Sequence, residues 1–302
     1  MSLFSALLLK ISPLYLNILL GFLAGRLLDM PRDAIARFMF YIISPLIMFN
    51  GILHTRLDSS VLSLPLLVFC ISVSLCLLFY RFSKNIWNDS TANVLAFSAG
   101  SGNTGYFGLP LALLLFNDQG EGVYMMALLG VTIFENSVGF YIFAKGAHSA
   151  GECLRKLSRL PILHAFFIAL FVNYLQIPIP AVFNEFMCHI KGTYAVLGMM
   201  IIGLGLAGMR HLNLDFTFIG LSFLAKFVAW PLLTLALIAI DSAWLGIYSE
   251  DIHHALILLS VVPLGVNTVI LAAVLKTEPE KAAGAVLLST FFALVYLAII
   301  TF

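Results

Sequence analysis

The stretch AGSGNTGYFGLP, residues 99–110, places four glycines and a proline between two apolar runs, TANVLAFS before it and LALLLF after it. Glycine relaxes the backbone and proline removes a hydrogen-bond donor, so both disfavour a continuous helix. Flanking runs this apolar read as one membrane span. Inside lipid an opened backbone is tolerated only when it is buried in protein or lines a wet cavity. The stretch therefore predicts a helix broken at membrane depth, with a purpose for the break.

The rest of the chain fits that setting. Of its 302 residues 61% are apolar and 10% charged, against about 45–50% and about 25% in soluble domains. The excess runs along the whole chain, which predicts a polytopic membrane protein. A net charge of +1 gives no reason to expect nucleic-acid binding. The N-terminal run MSLFSALLLKISPLYLNILLGFLAG has no basic start and no A-x-A site, and reads as a retained first span. Cys70 and Cys76 fall in an apolar span, Cys153 and Cys188 in loops. Their spacing suggests neither a metal site nor a disulfide framework.

Runs of about 20 apolar residues occur at 5–28, 34–54, 61–82, 92–116, 121–145, 160–176, 193–209, 217–240, 253–276 and 281–302. The reading is all-α, with ten transmembrane helices and short loops. Twelve of the 16 Lys and Arg flank odd-numbered connections: Arg26, Arg32, Arg37, Arg81, Lys84, Lys145, Arg155, Lys156, Arg159, Arg210, Lys276 and Lys281. Lys10, Arg56 and Lys191 lie on the other side, with acids such as Asp118, Glu121, Asp241, Glu250 and Asp251. The positive-inside rule then makes odd connections cytoplasmic, with both termini outside a cell (inner) membrane.

The basic connection 146–159 divides the chain into five spans, 1–145, and five more, 160–302. Five is odd, so two similar halves must be inverted relative to each other, a common plan in secondary transporters. The fourth span carries Gly102-Asn103-Thr104-Gly105 and Pro110; the ninth carries Pro263, Gly265, Asn267 and Thr268. The second and seventh spans align without gaps at Tyr41 and Tyr194. Two matched breaks would let helices 4 and 9 cross at midplane. Their half-helix N-termini favour an anion, with Asn103, Thr104, Asn267 and Thr268 as caps or ligands and Pro110 and Pro263 holding the gap open. The alternative is that these small residues serve only close packing.

Glu135 and Lys226 are ionisable groups near mid-span. Charges at that depth cost several kcal/mol and face a cavity or each other. Lys226 would supply positive potential for an anion or neutralise Glu135; Glu135 is either a proton site or half of a structural ion pair. Asn17, Asn50, Asn93, Asn136 and Asn173 read mostly as interhelical hydrogen-bonders, with Asn50 and Asn136 as candidates for a cavity wall. His164, His253 and His254 read as interfacial.

GNTGYFGLPLAL, VVPLGVNTVILA, ARFMFYIISPLIMFNGIL, KFVAWPLLTL and AAGAVLLSTFFALV together resemble the auxin efflux carrier family, which includes bacterial carriers of malate and malonate. The resemblance covers nearly the whole chain. It implies ten helices with the fourth and ninth crossing, a scaffold from helices 1, 2, 6 and 7, and a transport unit from helices 3–5 and 8–10. It also implies a fold similar to the bile acid sodium symporters, a homodimer and elevator-like motion. The seventh span departs from the family pattern, with Gly198 at about the position where proline is frequent. The long loop of the plant carriers is missing, so the chain is more similar to bacterial members.

The expected function is secondary transport of a small mono- or dicarboxylate such as malate, malonate or an auxin-like acid. No GxxxxGK[ST] is present to couple ATP. No cofactor or metal is expected, and H⁺ or Na⁺ is left open as coupling ion. HExxH, GxSxG and a pair of intramembrane aspartates are all missing, which argues against an intramembrane enzyme. A channel or membrane sensor on the same fold is the alternative.

Overall fold

In the computed structural model, residues 3–144, 157–208 and 214–299 are described, with positions 151 and 155; side chains before residue 12 and after residue 297 are not. Lys145, Cys153, Lys156, Arg210 and most of the 146–159 connection lie outside the described residues, as does the side chain of Lys10. The described residues are mostly helical, with no strand among them. In order they form α1 (Leu3–Leu27), α2 (Arg32–His54), α3 (Ser59–Ser83), α4 (Thr91–Gly100), α5 (104–115) and α6 (Asp118–Phe143). Then follow α7 (Pro161–Tyr174), α8 (Ala181–Ala207), α9 (Phe216–Leu245), α10 (Glu250–Val261), α11 (Val266–Val274) and α12 (Pro279–Ile299).

Among the described residues six helices are long and apolar enough to cross a membrane, or seven if α10 and α11 count as one bent span. Twenty-five residues, as in α3, reach about 38 Å, more than the roughly 30 Å hydrocarbon core. Large apolar side chains stand exposed on the outer faces, among them Leu66, Phe171, Leu232 and Val295. A surface of that kind suits lipid and not water. This is a multi-pass membrane protein.

Helix starts are set locally. The Asp58 carboxylate accepts from the Val61 N–H at 2.9 Å to open α3. Asn117 accepts from Gly120 N–H at 2.8 Å before α6, and Asp215 from Phe218 N–H at 3.0 Å before α9. Each satisfies one of the orphan donors of a first turn. α8 begins at Ala181, well before the expected 193, because the helix continues past its apolar run through Glu185, His189 and Lys191.

Besides the π turn Asp241–Leu245 that closes α9, three wide π turns lie within or at the start of helices, at Met39–Ile43, Thr104–Gly108 and Leu224–Ala229. Each of these three ends two residues before a proline: Pro45, Pro110 and Pro231. A proline ring clashes with the carbonyl one turn back and offers it no N–H; widening the turn relieves the clash. Such turns are frequent at functional sites.

α1 packs along α8 by way of glycine: a Cβ at Gly21 would strike the Met200 backbone, and one at Gly203 the Ile18 carbonyl. α7 lies against α2, α3 against α4 and α6, and α10 against α6. On the acidic side Lys191 of α8 bridges Asp118, at 3.0 Å, and Glu121 of α6. On the basic side Lys281 lies 3.5 Å from Asp215 and 3.4 Å from Glu278. Asn93 donates to Ile142 O at 2.6 Å and Asn173 to Ile52 O at 2.8 Å, joining neighbouring helices.

Candidate functional site

Helix α4 stops at Gly100, and residues 101–103 are non-helical before α5 begins. α10 stops at Val261, and residues 262–265 are non-helical before α11, with a bend of 47° across the gap. The two gaps touch. The Asn103 N–H donates to the Pro263 carbonyl at 2.8 Å. Leu264 N–H is received by the Ser289 hydroxyl at 3.1 Å, and Trp230 Nε1–H donates to the Ala99 carbonyl at 2.8 Å. Open backbone at this depth is thus answered by neighbouring protein, as a lipid-excluded site demands.

Little room for a side chain is left where the gaps meet. A Cβ at Gly265 would lie 2.7 Å from Ser101 Oγ and 3.4 Å from Glu135 Oε1. One at Gly102 would lie 2.8 Å from Lys226 Nζ and 3.1 Å from Val262 Cγ2.

A cavity of about 100 Å³ opens beside this contact. Gly102, Asn103, Thr104 and Gly105 line it from one side and Asn267 from the other, with Glu135 and Asn136 of α6 completing a polar wall. At roughly 10–15 Å³ per water, the cavity has room for about seven to ten waters or a small solute. The first residues of α5 and of α11 border it, where first-turn N–H groups have no acceptor within their helix; that of Thr104 is taken by the Gly102 carbonyl at 2.7 Å.

The polar groups divide their work. Asn103 is 3% exposed, and its side-chain nitrogen has no protein acceptor among the described residues. The Asn267 amide is engaged: it donates to Glu135 Oε2 at 2.6 Å. Lys226 is 0% exposed and does not line the cavity. It sits behind Gly102, donating to Leu259 O at 3.3 Å with its ammonium 4.6 Å from the Trp230 ring centroid. Its charge interacts with that of Glu135.

Several expected site residues stand elsewhere. Gly265, Thr268 and Pro263 support the contact without lining the cavity. Asn50 is buried in α2, where its carbonyl partners the His54 ring at 2.9 Å, and it is not part of the cavity wall. Its position along the span suited a wall, but its face of α2 turns elsewhere. Pro110 is not at the gap; it lies within the continuous helix beyond it. What it does is widen the Thr104–Gly108 turn, whose i→i+5 bonds include Gly108 N–H to Asn103 O at 3.0 Å. In that register Pro110 leaves the Gly105 carbonyl without a donor, and the Tyr194 hydroxyl supplies one at 3.2 Å. Tyr124 likewise donates to Thr104 O at 3.0 Å. Gly198 faces this element, with room for a Cβ only 3.2 Å from the Pro110 ring.

Ser44, Tyr106, Thr132 and Tyr194 also line the cavity, and none of them was expected there from sequence. A hydroxyl in an apolar span looks the same whether it faces a neighbour or a cavity. The available signal was Ser44-Pro45 and the spacing of each proline after its turn.

Residues 6–150 match the family described as Membrane transport protein. The match covers just under half of the chain and supports the resemblance to the auxin efflux carrier-like membrane transport family, and with it a membrane transporter in general terms. It spans α1–α6, with Gly102–Gly105 and Glu135 inside it. No curated protein matches the transporter.

Proposed function

We propose that the transporter is a secondary carrier for a small organic anion, a mono- or dicarboxylate. The observation that carries this reading is the Asn103–Pro263 backbone bond, which seats two interrupted helices against one small polar cavity. Helix N-termini and the Asn103 amide supply donors for a carboxylate, and Lys226 adds positive potential from behind Gly102. The cavity's small volume favours solutes of malonate size over bulky ones.

On this reading the chain comprises two inverted five-span repeats, with α4–α5 and α10–α11 as the crossed fourth and ninth spans. The scaffold comprises α1, α2, α7 and α8, and the remaining helices slide against it in an elevator-like cycle within a homodimer in the cell membrane. The packing of α1 on α8 and of α7 on α2 supports that division. Energy comes from the substrate gradient, the membrane potential or a coupled H⁺ or Na⁺.

The test is uptake of a panel of labelled carboxylates into proteoliposomes, under imposed pH, Na⁺ or voltage gradients. Saturable flux with counterflow between two pools supports a carrier. Flux at channel rates without counterflow, or none for any carboxylate, discards the reading in favour of a channel or sensor.

A further inference from the structure

A second cavity, of about 420 Å³, lies on the basic side of the bundle. Its walls come from α8, α11 and α12 and from the basic-side ends of the helices: Asp29 just before α2, Arg32 at its first residue, Gly208 after α8 and Ala283 early in α12. Val266, the first residue of α11, lines both this cavity and the smaller one at the Asn103–Pro263 contact. One residue thus borders both spaces, and a path between them passes it.

Arg32 is the cation in that wall. Its Nε is buried with no hydrogen-bond acceptor among the described residues. The side chain packs over Gly205, where a Cβ would stand 3.7 Å from Nε. The acids that face it are Asp33, next in the chain and electrostatically coupled to it, and Asp29 on the exposed rim; no ion pair joins Arg32 to either among the described residues. Tyr106, which lines the first cavity, lies within electrostatic range of both Arg32 and Glu135. An arginine held against a low-dielectric wall focuses an attractive field for anions and repels cations.

We propose that the larger cavity is the vestibule through which an anion enters from the basic side, with Arg32 selecting for negative charge and Val266 forming the partition to the inner cavity. This rests on the carrier reading for its purpose, but its test does not depend on transport. Val266→Cys is placed in a chain whose four native cysteines are replaced, with Ala283→Cys on the vestibule wall as a folding and access control. Inside-out and right-side-out vesicles are treated with membrane-impermeant thiosulfonates of opposite charge, sulfonatoethyl and trimethylammonioethyl, and modification is followed by mass.

Both cysteines are expected to react from the same, basic side. After normalisation to free thiol, the anionic reagent should react with Val266→Cys about 10-fold or more faster than the cationic one. Arg32→Gln should bring that ratio close to one, and Arg32→Lys should keep most of it. An unchanged ratio in Arg32→Gln overturns the role of Arg32. Reaction at Ala283→Cys without reaction at Val266→Cys or at Val269→Cys, in the same wall, overturns the vestibule. If charge-selective modification persists while no carboxylate is transported, only the carrier reading falls.

Discussion

Asn103 and Pro263 are joined through their backbones, the Asn103 N–H donating to the Pro263 carbonyl at 2.8 Å. The bond ties two non-helical segments from opposite halves of the chain, and it leaves the Asn103 side chain out of the arrangement. That separation makes the side chain testable alone. Asn103→Ala retains the backbone bond and removes a buried amide whose nitrogen has no protein acceptor among the described residues. We expect an unchanged unfolding midpoint in detergent and a rise of about 10-fold in KM for uptake, the effect of losing one hydrogen bond to a charged solute. Wild-type KM in a folded Asn103→Ala protein would remove this side chain from the site.

Gly265 and Gly102 test the contact itself. A methyl at 265 meets Ser101 Oγ at 2.7 Å, whereas one at 102 meets the end of the flexible Lys226 side chain at 2.8 Å. Overpacking costs about 1–3 kcal/mol where the neighbour is fixed. Gly265→Ala should therefore lower thermal stability more than Gly102→Ala, and both should slow uptake. Ser101→Ala, which removes the oxygen in the way, should restore stability to Gly265→Ala. Equal, undiminished stability in both single variants would mean the segments are not in this close approach.

How much of this was legible depends on what each residue type can announce. Glycine and proline clustered at 100–110 and 263–265 pointed to non-helical backbone, and residues 101–103 and 262–265 are non-helical. Asn103 and Asn267 stood out because amides are rare in apolar runs, yet nothing local distinguished the one facing the cavity freely from the one bound to Glu135. Lys226 was visible as a charge at depth. Its place behind Gly102 is a tertiary fact, set by how α9 packs on α10. Tyr106, Tyr194 and Ser44 were not legible, since an aromatic or hydroxyl residue in a membrane helix has packing roles that leave the same pattern. Pro110 was read as a gap-holder because proline ends helices; here its clash is absorbed by a π turn and the helix continues.

Lys226 separates electrostatic from structural roles. Its ammonium is fully buried, with one carbonyl at 3.3 Å and the Trp230 ring beneath it. Lys226→Met keeps the stem and deletes the charge, and a buried ammonium carries a desolvation cost that an apolar side chain of similar size does not. Lys226→Ala opens a void and should cost about 2–5 kcal/mol by analogy with other long buried side chains. The expected pattern is a normal or raised unfolding midpoint in Lys226→Met with uptake down about 10-fold or more. Full uptake by Lys226→Met would reduce the lysine to packing.

Glu135 is held by the Asn267 amide at 2.6 Å on the cavity wall. Glu135→Gln preserves shape and an acceptor oxygen for Asn267 but cannot ionise. If the carboxyl carries the coupled proton, uptake by Glu135→Gln loses its pH dependence while counterflow between substrate pools survives, since exchange needs no net proton movement. Uptake that follows pH as in the unaltered transporter shows that Glu135 serves structure only, and points coupling toward Na⁺ or the membrane potential.

The Tyr194 hydroxyl offers the last test, because it compensates for a specific defect. Pro110 has no N–H for the Gly105 carbonyl in the wide turn, and Tyr194 of α8 donates to that carbonyl at 3.2 Å. Tyr194→Phe leaves a buried acceptor unmet, at a cost of about 1–3 kcal/mol. Pro110→Ala supplies an N–H from within α5, so the carbonyl no longer needs the tyrosine. In the unfolding midpoint the two substitutions should therefore be non-additive, with Tyr194→Phe destabilising alone and close to neutral in the Pro110→Ala background. The bond also crosses from α8 to α5, which the carrier reading assigns to opposite sides of the sliding boundary. Tyr194→Phe should consequently shift the balance between the two end states, read as a change in the ratio of exchange to net uptake. Strict additivity in the stability cycle would show that the hydroxyl does not stand in for the missing proline N–H.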